Sequence, residues 1–166
     1  PPDRLATRIG TLELFDGGPT QETAQKVYDN LDLQRGVQAY LDSIQSASMY
    51  GMRKGILDFG PANTTALLFE TLMDSKALWL TPNSETVYAA TFLDLKIDGP
   101  TILESPPNVL GLLDDMWFRY VSDFGIGGAE RGKGVKYLLV GPGYKGQLPE
   151  NGFIIRKSRT SRVWVV

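Results

Sequence analysis

Asp114 and Asp115, with Arg119, Asp123 and Arg131 close behind, form the densest cluster of side chains able to do chemistry in this chain. Carboxylates can act as acid and base on a glycosidic bond, or ligate a hard cation. The first chemistry needs two carboxyl groups about 5 to 10 Å apart across a cleft. Adjacent residues on a strand point to opposite faces, so Asp114 and Asp115 cannot line one pocket if both lie in a strand. The plainer use of such a pair is one Asp closing a turn while the other meets an Arg. A carboxylate-dependent hydrolase or lyase built on these five residues is therefore one reading, and a purely structural cluster is the other.

A second candidate is the stretch from Gly125 to Gly134, with five glycines in ten residues. Gly127 and Gly128 would let backbone approach a ligand closely, with Arg131 and Lys133 supplying positive charge for a carboxylate or phosphate. The same glycines also serve a long inter-strand loop that needs positive φ angles. Gly141-Pro142-Gly143-Tyr144-Lys145-Gly146 fits G-x-G-x-x-G after a strand. A dinucleotide site needs a helix to follow, and Gln147-Leu148-Pro149-Glu150-Asn151-Gly152 cannot continue one. Pro142 also removes an amide from the cradle. Nucleotide binding is not expected there. Trp79, Tyr88, Trp117, Tyr120 and Tyr137 fall on expected strands and read as core or cross-strand pairs; a sugar platform would need two of them exposed on one face.

Composition narrows the chemistry further. The 166 residues contain no His and no Cys, which excludes Ser-His-Asp, Cys-His and HExxH mechanisms, disulfides and thiolate zinc sites from this chain. No metal or other cofactor is called for. With 17 basic and 19 acidic side chains, the net charge of −2 argues against nucleic acid as a partner. At 42% apolar residues the chain can bury a real core. No apolar run approaches the roughly 20 residues of a membrane helix.

These groups must be held by elements of two kinds. Residues 1–74 read as a helical segment. Pro19-Thr20 followed by Gln21-Glu22 predicts a capped start. Asp32 suits a fresh start, and Leu33, Val37, Tyr40, Leu41, Ile44, Ala47 and Ser48 follow the spacing of an apolar helical stripe. Gly51 and Gly55 are expected to close it. A further helix is expected over 65–73, capped by Asn63 or Thr64. Residues 75–166 read as seven short strands, at 77–80, 86–93, 101–103, 116–121, 135–140, 153–155 and 162–166. Turn signals such as Asp98-Gly99-Pro100 and Pro106-Pro107-Asn108 punctuate them. The fold class expected is α+β: an N-terminal helical segment followed by an antiparallel, immunoglobulin-like β-sandwich.

Thr81-Pro82-Asn83-Ser84-Glu85-Thr86-Val87-Tyr88, followed by Leu93-Asp94-Leu95, resembles the TPNxxTxY…LDL signature of the bacterial domain-of-unknown-function family numbered 1254. The resemblance continues through Leu103-Glu104-Ser105-Pro106-Pro107, Leu113-Asp114-Asp115-Met116-Trp117-Phe118-Arg119-Tyr120, Gly134 to Gly146, and Ile155-Arg156-Lys157-Ser158-Arg159-Thr160. It implies a helical start, then a β-sandwich, and a periplasmic or secreted location. It also implies a second, jelly-roll-like domain of the family numbered 1214 beyond residue 166, and it carries over no catalytic residues. The chain opens on Pro1-Pro2 and stops inside an expected strand, Arg162 to Val166, so a fragment is expected. The expected function is an exported envelope module acting in binding or assembly. Its expected partners are a second copy, its own missing domain through an open last strand, or a small molecule of unread class.

Overall fold

The computed structural model describes residues 2–77, 79 and 82–166. Among these described residues, eleven strands and one helix follow in the order β1 (Arg4–Thr7), β2 (Gly10–Phe15), β3 (Gly18–Pro19), α1 (Gln21–Leu57), β4 (Leu67–Leu68), β5 (Ala89–Asp94), β6 (Thr101–Ser105), β7 (Leu110–Asp115), β8 (Tyr120–Gly125), β9 (Val135–Val140), β10 (Ile154–Lys157) and β11 (Arg162–Val165). The class is α+β. The chain divides into two compact units, Pro1–Ile44 and Gln45–Val166.

The first unit opens with strands where the sequence pattern predicts helix. β1, β2 and β3 form an antiparallel meander. Asp16 and Gly17 join β2 to β3 with φ of 48° and 79°, the two positive angles that a two-residue Asp-Gly hairpin turn requires. Arg4 pairs with Glu13 across the first hairpin at 2.6 Å. Thr20 caps α1 as its position predicts, its Oγ1 accepting the Thr23 amide at 3.2 Å. The Thr23 hydroxyl in turn accepts the Glu13 amide at 2.8 Å, tying β2 to the first turn of the helix.

Neither Asp32 nor Gly51 and Gly55 interrupts α1, which runs unbroken to Leu57. Interior glycine costs about 1 kcal/mol of helix propensity. Burial outweighs it: Met49 and Ile56 are buried with Ala90, Phe92 and Trp164, and Met52 packs beside them. The helix expected over 65–73 does not form. Leu67 and Leu68 instead pair with Ala90 and Ala89 as β4, and the Thr91 hydroxyl donates to the Thr65 carbonyl at 2.6 Å. Asn63 is no helix cap; its Oδ1 accepts the Asp94 amide at 2.6 Å. Backbone groups at a sheet edge have gained partners that a short local helix could not offer.

The second unit contains two sheets, ordered β10-β9-β6 and β4-β5-β11-β7-β8. They share one core of Leu93, Leu95, Leu113, Phe124, Tyr137, Leu139, Val163 and Val165. The opposite face of β5 and β11 carries Phe92 and Trp164 toward α1, as the period of two demands. All pairings are antiparallel except β9 with β10, which is parallel and departs from the wholly antiparallel expectation. Residues 116–121, expected as a strand, mostly form the turn between β7 and β8, and β7 itself falls where the sequence pattern signals no strand. Of the strand expected over 77–80, Leu78 and Leu80 lie outside the described residues. β11, expected as an open edge, sits between β5 and β7 and is paired on both sides. Gly111 faces Phe124 across the β7–β8 ladder, and the Phe124 ring fills the space a Cβ would take.

Candidate functional site

The last three turns of α1 set Gln45, Ser48, Met49 and Met52 on one face by their 3-1-3 spacing. Within the second unit these residues, with Trp79, Phe118 and Trp164, line a cavity of about 290 Å³. Met49 and Trp164 are buried, and Gln45 and Ser48 are exposed at the rim. Phe118 stacks on Trp164 with centroids 5.7 Å apart, and Trp79 meets Trp164 edge-on at 6.3 Å. Two thioethers beside three rings make a soft, polarisable wall. The indole N–H of Trp164 is buried and has no hydrogen-bond partner.

The walls are set by motif residues. Phe69 packs edge-on against Trp79 at 5.0 Å, and Tyr88 lies 6.2 Å from it. The Tyr88 hydroxyl accepts the Asn83 amide at 2.9 Å and its side-chain N–H at 2.7 Å. Asn83 Oδ1 accepts the Glu85 and Thr86 amides and the Thr86 hydroxyl, each at 2.9 Å. The Asn, Thr and Tyr of the TPNxxTxY stretch thus fold one turn that backs the Trp79 wall; its Thr81 lies outside the described residues.

Asp115 positions Phe118. Its Oδ1 accepts the amides of Trp117 at 2.8 Å and Arg119 at 3.1 Å, and Oδ2 meets Arg119 Nε at 2.8 Å and NH2 at 2.7 Å. This closes the β7–β8 turn with Phe118 at φ 55°. Burial pushes the Asp115 carboxyl up, but the Arg119 guanidinium and the two amides outweigh it and hold the group below the ordinary carboxylate value. Asp114 is raised instead, first by burial and then by the charges of Asp115 and Asp123. Neighbouring carboxyls pushed in opposite directions are what acid–base chemistry needs. At 4% and 1% exposed, however, Asp114 and Asp115 do not open onto solvent.

The structure thus brings Asp114, Asp115, Asp123 and Arg119 into electrical contact, none of them lining the cavity. Asp123 is half-buried, and its amide donates to the Tyr120 hydroxyl at 3.0 Å. Arg131, Lys133 and Gly127 are exposed on the glycine-rich loop, whereas Gly128 is buried against Glu130 and Tyr137. That loop is folded by amides donating from Gly128 and Gly132 to the Gly125 carbonyl. No helix follows Gly141–Gly146; β10 comes next. Among the described residues, no three acidic side chains converge as a metal site, and no helix is long and apolar enough to cross a membrane. Of the aromatics expected in the core, Tyr137 is fully buried, Trp117 is 44% and Tyr120 64% exposed, and Trp79 lines the cavity.

The sequence matches the family model described as a protein of unknown function, DUF1254, over residues 63–166. The chain belongs to that family. No curated protein matches it. Among solved structures, the DUF1254 chain is similar to the VPA0106 protein of Vibrio parahaemolyticus, with a TM-score of 0.54 and 15% identity. The similarity covers 76% of this chain and 30% of the Vibrio protein, so this chain spans about a third of that protein's length.

Proposed function

We propose that this DUF1254 chain is a binding module of an exported envelope protein, and that the aromatic cavity takes a small, mainly apolar ring compound carrying one polar group. The cavity carries the reading. Rings and thioethers form most of its wall, and Gln45 and Ser48 offer an amide and a hydroxyl at its rim, the usual composition of a ligand pocket. Phe118 adds support. A bulky side chain in the left-handed region costs about 1 kcal/mol, which Asn or Gly would avoid. The turn keeps the ring at that cost, and strain of this kind gathers at ligand clamps.

Phenol and cyclohexanol are suitable probes, because Trp79 and Trp164 report occupancy by fluorescence. Saturable quenching is expected. Ser48→Ala should weaken it about fivefold, the equivalent of one neutral hydrogen bond. Ser48→Trp, which fills the rim from an exposed position, should abolish it. Quenching that does not saturate, or that survives Ser48→Trp, would overturn the reading. Export is supported by the family resemblance, and the absence of Cys is compatible with it. Fractionation of a producing bacterium should place the full-length protein in the periplasm or medium; recovery from the cytosol contradicts export.

A further inference from the structure

Among the described residues, two buried side-chain polar atoms have no hydrogen-bond partner, Arg53 Nε and Trp164 Nε1. The Arg53 guanidinium already meets Asp94 at 3.4 Å, so its unmade bond lies within an ion pair. Trp164 has no such partner. The indole N–H is the one polar group of that side chain, a donor that cannot accept, and the residue is only 6% exposed. Buried indole N–H groups usually find an acceptor, and leaving one without is costly. Asp114 stands directly opposite Trp164 across the β11–β7 ladder, on the same face of the sheet, yet its carboxylate does not take the N–H. The unmade bond thus belongs to a side chain that lines the aromatic cavity.

We infer that Trp164 sets the specificity of this cavity, donating its indole N–H to a neutral oxygen acceptor such as the carbonyl of an aryl ketone; the inference rests on the reading of the cavity as a ligand site. Size and charge agree with it. Apolar cavities of about 150 Å³ already admit benzene, so about 290 Å³ admits one ring with a short substituent. None of the seven lining side chains is cationic. A carboxylate would enter without a counter-charge, a cost that a carbonyl avoids. Asp114, buried opposite Trp164, opposes an anion further. Gln45 and Ser48 at the rim are exposed, so their bonds to a guest replace bonds to water, whereas a bond to Trp164 replaces none. Discrimination between an acceptor and its hydrocarbon analogue therefore falls to the buried donor.

Acetophenone, ethylbenzene and benzoate share one ring and differ in the acceptor, so calorimetric titration with each tests this. Acetophenone should bind about tenfold more tightly than ethylbenzene, and benzoate should not bind. Trp164→Phe keeps a ring in the wall and removes the donor. It should weaken acetophenone about tenfold and leave ethylbenzene within about twofold. Should that variant fail to fold, the indole N–H resonance of Trp164 in the unaltered chain gives a second reading. It is the one of three indole signals that neither Trp79→Phe nor Trp117→Phe removes, and acetophenone, unlike ethylbenzene, should move it downfield. Equal affinity for acetophenone and ethylbenzene overturns the inference while leaving the cavity a ligand site. A preference for acetophenone that survives Trp164→Phe, or a Trp164 resonance unmoved at saturation, overturns it as well, by placing the bond at the rim. No binding of any of the three overturns the reading of the cavity itself, and this inference with it.

Discussion

Asp94→Ala is expected to destabilise the second unit by about 3 kcal/mol, at the low end of the cost of orphaning a buried ion-pair partner. Asp94 is 2% exposed at the end of β5. Its Oδ2 meets Arg162 Nε at 2.8 Å and Arg53 NH2 at 3.4 Å, and its Oδ1 accepts the Lys96 amide. Arg53 comes from α1 and Arg162 from β11, so one carboxylate ties helix to sheet. Removing it leaves Arg53 worst placed: its side chain is 16% exposed and its Nε already lacks a partner. Arg162, at 45% exposed, can turn to water, which keeps the expected loss near the low end. For a chain of this size the melting temperature should fall by roughly 6–12 °C. Urea unfolding measures the loss directly. A variant within about 0.5 kcal/mol of the parent, the range of ordinary surface changes, would show that the pair contributes little net.

Glu130→Gln should cost about 2 kcal/mol near neutral pH, as charge-assisted hydrogen bonds become neutral ones. Glu130 is 9% exposed inside the glycine-rich loop, where its Oε1 accepts the Gly125 amide and its Oε2 the Tyr137 hydroxyl, both at 2.5 Å. Burial raises the Glu130 carboxyl, but the Tyr137 hydroxyl and the Gly125 amide outweigh it, so the folded value lies below the ordinary 4.5. Burial, and then the hydrogen bond to the Glu130 carboxylate and its charge, push the Tyr137 phenol up to about 12. A carboxylate whose folded-state pKa is depressed contributes stability above the unfolded value and loses it as pH falls through the folded one. The advantage of the unaltered chain over the Glu130→Gln variant should therefore be constant above about pH 5 and shrink on acidification below 4.5. Denaturation of both forms across that range decides it; a difference that grows on acidification would contradict the assigned shift.

These two carboxylates also show what is hard to read along the chain. Asp94 stands in the Leu93-Asp94-Leu95 stretch of the family signature, but its partners lie 41 and 68 residues away in sequence. No local spacing links Arg53, Asp94 and Arg162. Glu130 sits inside a glycine run that reads as loop, and only its burial beside Tyr137 marks it as the group that folds that loop. Asp115 is legible in kind: an Asp before a turn, with an Arg four residues on, is a local pattern. The β7–β8 turn nonetheless reads as strand, because Met116-Trp117-Phe118 has high strand propensity and Asp115 overrides it through two backbone amides.

The cavity divides in the same way. Its motif backing, Asn83 to Tyr88, and its helical wall are short-range features set by spacing along the chain. That Trp79, Phe118 and Trp164 meet the end of α1 is long-range, fixed by the central place of β11 between β5 and β7. The family, the α+β class, the capped start of α1, the apolar stripe and the absence of His and Cys chemistry are all legible along the chain. These depend on residue type and on separations of a few residues, where propensity, capping and periodicity act. Which strand is central, where α1 ends, that 65–73 is not helical, and which side chains enclose the cavity emerge only once the chain is folded. Those outcomes depend on burial and pairing between distant segments, whose free energy exceeds the small local preferences that a sequence displays.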